Sequence, residues 1–214
     1  MQDALSPIIL SWPAWLGPLA MFALASSITP GPNNTMLAAS GLNYGFRRTV
    51  PHMLGVSAGF SLMIVLVGLG LGGLFARWPW LYTLLKYAGA LYLLYLAWKI
   101  ARAGAPATGT SKERPIGLLQ AMAFQWVNPK AWVMVIGVVA TYTPRQGFFA
   151  NLLLAALLCA FVNLPSVGIW AGFGSVMRRW LHDARVLRGF NLGMALLLVL
   201  SLYPLVGEWV PLSR

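Results

Sequence analysis

Six apolar stretches divide this chain, and each matches the thickness of a hydrocarbon core. They run from about Trp15 to Leu42, Val50 to Phe75, Trp80 to Ile100, Gly117 to Tyr142, Phe149 to Val176 and Phe190 to Val210. A helix rises about 1.5 Å per residue, so about 20 apolar residues cross a bilayer. Of the 214 residues, 59% are hydrophobic and 9% charged. An ordinary soluble domain is about 25% charged, and one core of this size could not hide so much apolar surface. The expectation is an all-α membrane protein with about six transmembrane helices, a single transmembrane domain over residues 1–214. Tryptophans near the stretch ends (Trp15, Trp78, Trp80, Trp98, Trp180, Trp209) suit the headgroup layer. Trp126, Trp132 and Trp170 fall deeper and are expected inside the bundle. Met1 to Leu16 carries no Lys or Arg, and Asp3 is its only charge. A signal peptide needs a basic start, so the first stretch reads as a retained span.

The net charge of +11 does not point to nucleic acid, because the basic residues are scattered among the loops. They report orientation instead. Arg47, Arg48, Lys99, Arg102, Lys112, Arg114, Arg178, Arg179, Arg185 and Arg188 fall on one side; Arg77, Arg145, Arg214 and Lys86 fall on the other. The positive-inside rule then puts both termini outside the cytoplasm.

The polar loop 103–114 divides the chain into halves, 1–102 and 115–214. Three spans per half make the second half enter from the opposite side, the arithmetic of a 3+3 inverted repeat. The first span of each half carries a proline-centred break, and the third span of each has a glycine before a leucine-rich run, Gly89 and Gly193.

The first break is Thr29-Pro30-Gly31-Pro32-Asn33-Asn34. Two prolines and a glycine remove donors and loosen the helix. Carbonyls freed at membrane depth must find partners in protein or water, so such a break lines a cavity; the plain alternative is a structural kink. The second break holds Gln125, Asn128, Pro129 and Lys130. A lysine at the bilayer centre costs about 2.5–3.5 kcal/mol on insertion scales. Its reach of roughly 6 Å falls short of an interface roughly 15 Å away. It must therefore face a polar interior, unless the helix starts late or the lysine only pairs with nearby carbonyls. These ten residues are the candidate substrate-binding set.

The chain resembles the LysE/RhtB family of bacterial amino-acid exporters over essentially its whole length. The resemblance rests on Thr29 to Asn34, Gly45-Phe46-Arg47-Arg48, Gly55 with Gly59, Tyr87 to Lys99, Asn128-Pro129-Lys130-Ala131 and Asn191-Leu192-Gly193. Pro30-Gly31-Pro32-Asn33-Asn34 with Ala97-Trp98-Lys99-Ile100-Ala101 looks most like the cysteine and O-acetylserine efflux branch. The resemblance implies a six-helix, multi-pass inner-membrane protein that exports small neutral amino acids or their derivatives by exchange for protons. No cofactor is expected, and a homodimer stays open.

The acidic residues are Asp3, Glu113, Asp183 and Glu208, none well inside a span. That argues against a dedicated site for a cationic side chain and leaves the proton route open; a zwitterion fits better. A channel or a lipid-handling relative stays open as an alternative. A membrane-embedded enzyme would need clustered His, Asp, Glu or a nucleophile with its base, and the spans offer none. The two histidines are far apart and Cys159 stands alone, so no metal cluster is read. Gly55-x-x-x-Gly59 and Gly168-x-x-x-Gly172 read as close packing. Asn163-Leu164-Pro165 reads as a kink before a pathway element. His52 reads as a solvated group at a membrane end, with pH sensing as its alternative. His182 with Asp183 needs no special role.

Overall fold

The computed structural model describes residues 13–71, 73, 77–103, 114–180 and 183–202, and these contain helices and no strand. Residues 104–113 of the polar loop, with Lys112 and Glu113, and Asp3, His182, Glu208, Trp209 and Arg214 lie outside the described residues. The helices are α1 (Leu16–Ile28), α2 (Pro32–Tyr44), α3 (Phe46–Leu66), α4 (Pro79–Ala101), α5 (Leu118–Gln125), α6 (Pro129–Thr141), α7 (Phe148–Trp180) and α8 (Ala184–Leu200). A π-helical segment, Val67–Leu71, extends α3. Phe46–Leu71 and Phe148–Arg178 are long and apolar enough to cross a membrane.

Both anticipated breaks are present, and local chemistry accounts for each. A proline disfavours helical backbone in the residue before it. Thr29 accordingly turns extended, with ψ 147°, and ends α1. Pro32 then opens α2 at its first turn, where a missing N–H costs nothing. Asn128 ends the second interruption in the same way: it is extended, its side chain accepts from the Lys130 N–H, and Pro129 opens α6. α2 stops at Gly45, whose φ of 84° lies in the region that favours glycine.

Pro165, by contrast, sits inside one uninterrupted 33-residue helix. The sixth apolar stretch was expected from Phe190, but α8 starts at Ala184, capped by the Asp183 carboxylate on the Arg185 N–H. Arg185 and Arg188 therefore belong to helical turns, not to a loop.

α7 is the spine. Ser27 of α1 meets Asn163, and Gly41 of α2 meets the backbone of Ala171 and Ser175, so α1 and α2 together run parallel to α7. α3 runs antiparallel to it, with Ser57 and Ser61 donating to the carbonyls of Ala160 and Ala156. α5 runs parallel to α3, with Gly55 against Leu118 and Gly59 against Met122. α8 lies antiparallel to α4: Asn191 donates to the Ala103 carbonyl, while Leu198 clusters with Leu93 and Leu96.

Close approach depends on glycine at particular points. A Cβ at Gly55 would lie 2.3 Å from the Leu118 carbonyl oxygen, and one at Gly174 only 1.9 Å from that of Ala38. The expected Gly168 and Gly172 contacts are looser. A Cβ at Gly168 would meet only the flexible end of Met53, and one at Gly172 only Phe46 at 4.0 Å. Gly41 and Gly174 make the tight approach of α2 to α7 instead. Gly89 is tight against the Val127 carbonyl, whereas Gly193 has nothing within 4 Å.

Cys159 is buried in the main core with Leu19, Met63, Val135 and Leu152, where it packs as a small apolar residue. Trp132 is buried and Trp126 and Trp170 are partly so, whereas Trp78, Trp80 and Trp98 are exposed. His52 departs from expectation: its exposure is 0%, because α3 begins at Phe46 and carries it into the bundle.

Candidate functional site

The two breaks meet. Lys130 Nζ donates to the Thr29 carbonyl at 2.9 Å, the Thr29 hydroxyl at 2.8 Å and the Pro30 carbonyl at 3.3 Å. An ammonium has three protons, so all three are used. Behind this contact Asn33 and Gln125 exchange amides. Asn33 Nδ2 donates to Gln125 Oε1 at 2.9 Å, and Gln125 Nε2 returns a bond to Asn33 Oδ1 at 3.1 Å.

The backbone groups freed by the first break are accounted for by side chains. Asn34 Nδ2 donates to the carbonyls of Ser27 and Thr29, each at 2.7 Å. Trp170 Nε1 reaches over from α7 to the Ile28 carbonyl at 3.0 Å. Thr29 Oγ1 donates back to the Ser26 carbonyl, and Ser26 to that of Phe22. At the second break Trp132 Nε1 donates to the Trp126 carbonyl at 2.8 Å. Both breaks are thus stapled, as backbone removed from water requires.

Around these staples lies a pocket. Of the ten candidates, Gly31, Asn33, Asn34, Gln125, Asn128 and Lys130 form its wall. The other four do not line it: Thr29 and Pro30 are exposed and act as acceptors for Lys130, while Pro32 and Pro129 start the helices that frame it. Gly31 leaves room for Lys130 rather than serving conformation: its φ of 173° is ordinary extended backbone, and a Cβ there would sit 2.9 Å from Lys130 Cδ and push the lysine side chain aside. The wall is completed by Ser26, Ser27, Phe60, Ala131, Met134, Val167 and Asn163.

Asn163 is the member that sequence reading placed second, as a kink first. Its Nδ2 donates to Ser27 Oγ at 3.0 Å, while its Oδ1 is buried with no hydrogen-bond partner. The cavity therefore presents a cation on the side of the breaks and an unused acceptor on α7. The helices α2 and α6 also begin at it, and helix N-termini favour negative charge. Such a set can hold a carboxylate and an ammonium together. Among the described residues no group of three His, Cys, Asp or Glu could hold a metal.

The family model described as LysE type translocator matches residues 24–202, a span that contains both breaks. The cysteine/O-acetylserine efflux protein of Salmonella typhimurium strain LT2 is 32% identical over 190 residues, covering 87% of this chain and 95% of that protein. The protein of the same description from Escherichia coli strain K12 is 31% identical over 191 residues, with the same coverage. No solved structure matches this chain.

Proposed function

We propose, because this chain belongs to the LysE type translocator family, that it exports small zwitterionic amino acids across the bacterial inner membrane in exchange for protons. Cysteine and O-acetylserine, which name the efflux proteins it is similar to, are the first substrates to test. The observation that carries this reading is the cavity between the two breaks, with Lys130 on one wall and the unpartnered Asn163 Oδ1 on another.

A substrate carboxylate would displace the longest Lys130 contact, the one to Pro30, and gain the N-terminal ends of α2 and α6. The ammonium would donate to Asn163 Oδ1 and Ser27. A hydrogen bond to a charged group contributes about 1.5–3 kcal/mol, enough to hold a substrate loosely and release it. No carboxylate of the described residues lies in a helix, so Lys130 is the proposed proton carrier.

The reading includes a multi-pass bundle of six crossings. α1 with α2 is the first and α5 with α6 the fourth; α3, α4, α7 and α8 are the second, third, fifth and sixth. The directions in which these units pack support it, since first and fifth are parallel, as are second and fourth. A two-fold relating halves 1–102 and 115–214 exchanges those two pairings. It also maps the contact of the second crossing with the fifth, and of the third with the sixth, onto themselves, as an inverted repeat requires.

The test is efflux of radiolabelled O-acetylserine and cysteine from cells or vesicles, with and without a protonophore. Saturable efflux that falls when the gradient collapses supports the exporter. Unsaturable flow indifferent to the protonophore would favour a channel.

A further inference from the structure

A second pocket lies at the end of the bundle where Lys99 and Arg114 stand, apart from the site between the breaks. Its wall includes Ser40 and Asn43 of α2, His52 of α3, Lys99 of α4 and Arg114 before α5. Its polar groups divide into two kinds. Most are already engaged: Ser40 shares a hydrogen with Thr49 at 2.9 Å, and Asn43 donates to Asn191 at 3.2 Å and to the Ala39 carbonyl at 2.8 Å. His52 is not. It is wholly buried, and neither ring nitrogen has a hydrogen-bond partner. Burying both nitrogens unbonded costs stability and gains nothing from the protein itself. An imidazole at the floor of a cavity, with one donor and one acceptor free, is built to meet something that enters. Lys99 and Arg114 are exposed and stand at the mouth.

We propose that this cavity is a second binding site for the exported amino acid, an entry site at the cytoplasmic face that loads the site between the breaks. This rests on the exporter reading above. The substrate carboxylate meets Lys99 and Arg114 at the mouth, and its amino or side-chain polar group meets His52 below. The cavity borders α2 through Met36 and Ala39. The same helix begins at Pro32 and Asn33, beside Lys130, so one helix connects the two sites. Among the described residues, the facing groups around His52 carry positive charge or none: Tyr44 on α2, Lys99 on α4 and Arg114 on the loop before α5. An anionic group is therefore drawn in, and at this end of a multi-pass bundle it would come from the cytoplasm.

The test is sided transport kinetics of radiolabelled O-acetylserine in inside-out and right-side-out membrane vesicles. His52→Leu should raise the KM measured from the cytoplasmic face by about tenfold, a loss of about 1.4 kcal/mol, and leave the outer-face KM within about twofold. His52→Gln, which keeps a donor and an acceptor, should recover most of the difference. If His52→Leu does not accumulate, Lys99→Gln with Arg114→Gln, both exposed, should give the same one-sided rise. Equal shifts on both faces would overturn the entry site and make these residues structural. No shift in either variant would also overturn it and leave His52 to an enclosed water. A wild-type protein that moves no amino acid in either orientation would remove the exporter reading itself. Failure of the variants alone removes only the entry site.

Discussion

Asn33 and Gln125 are 92 positions apart in sequence, yet each side-chain amide donates to the other, at 2.9 and 3.1 Å. This reciprocal pair ties the start of α2 to the end of α5, and it holds the two breaks at the distance from which Lys130 reaches Thr29. Gln125 is 0% exposed and also donates to the Ala121 carbonyl, so it has little freedom to turn elsewhere.

Gln125→Leu should therefore weaken the junction rather than the fold as a whole. Asn33 would lose its partner at the cavity wall, at a cost of about 1–2 kcal/mol. The expected outcome is a small drop in the melting temperature of the purified protein in detergent, with a larger fractional drop in efflux at matched expression. Unchanged efflux would make the amide pair dispensable.

Packing gives a sharper contrast. Gly174→Ala would place a Cβ 1.9 Å from the Ala38 carbonyl oxygen, whereas Gly193→Ala meets nothing within 4 Å. Overpacking of backbone against backbone costs about 1–3 kcal/mol. The first variant should lose its monodisperse peak in size-exclusion chromatography after heating, and the second should behave as wild type. Tolerance of Gly174→Ala would mean that α2 and α7 sit further apart.

Orientation can be read by chemistry, because Cys159 is buried and gives little background. Arg48 and Arg145 are both exposed, on α3 and between α6 and α7. In intact cells a membrane-impermeant maleimide should label Arg145→Cys at once and Arg48→Cys only after permeabilisation. The reverse pattern would invert the proposed topology.

How much of this was legible in the sequence depends on how local each signal is. The breaks were legible because proline and glycine act on their own neighbours: Pro30 forces Thr29 extended and Pro129 forces Asn128 extended. The need of Lys130 for polar partners was legible from the apolar run around it, and it meets Thr29 and Pro30. The start of α8 was misread because Asp183, Arg185 and Arg188 look like a loop. They are the cap and outer face of a first turn whose inner face is Leu187, which is buried. The roles of Asn163 and His52 were not legible. An amide in a long apolar run shows that it needs partners, but whether Oδ1 finds one depends on α1, more than a hundred residues away. The same holds for glycine. Gly41 and Gly174 have no special spacing, and only the path of α2 across α7 makes them indispensable.

Lys130 is proposed to serve transport and to do more than hold two helix ends together. Lys130→Met keeps most of the side-chain length, removes the insertion cost of the charge, and frees the carbonyls of Thr29 and Pro30. Lys130→Arg keeps the charge but changes geometry and does not release its proton readily. The measurement is the initial rate of O-acetylserine efflux, normalised to protein in the membrane, for wild type and both variants. Accumulation of Lys130→Met at wild-type level or above, with efflux reduced at least about tenfold and little recovery in Lys130→Arg, is the result predicted here. Full efflux by Lys130→Met at matched expression would contradict it, leave the lysine a staple, and pass the site to the amides of Asn33, Asn34 and Asn128.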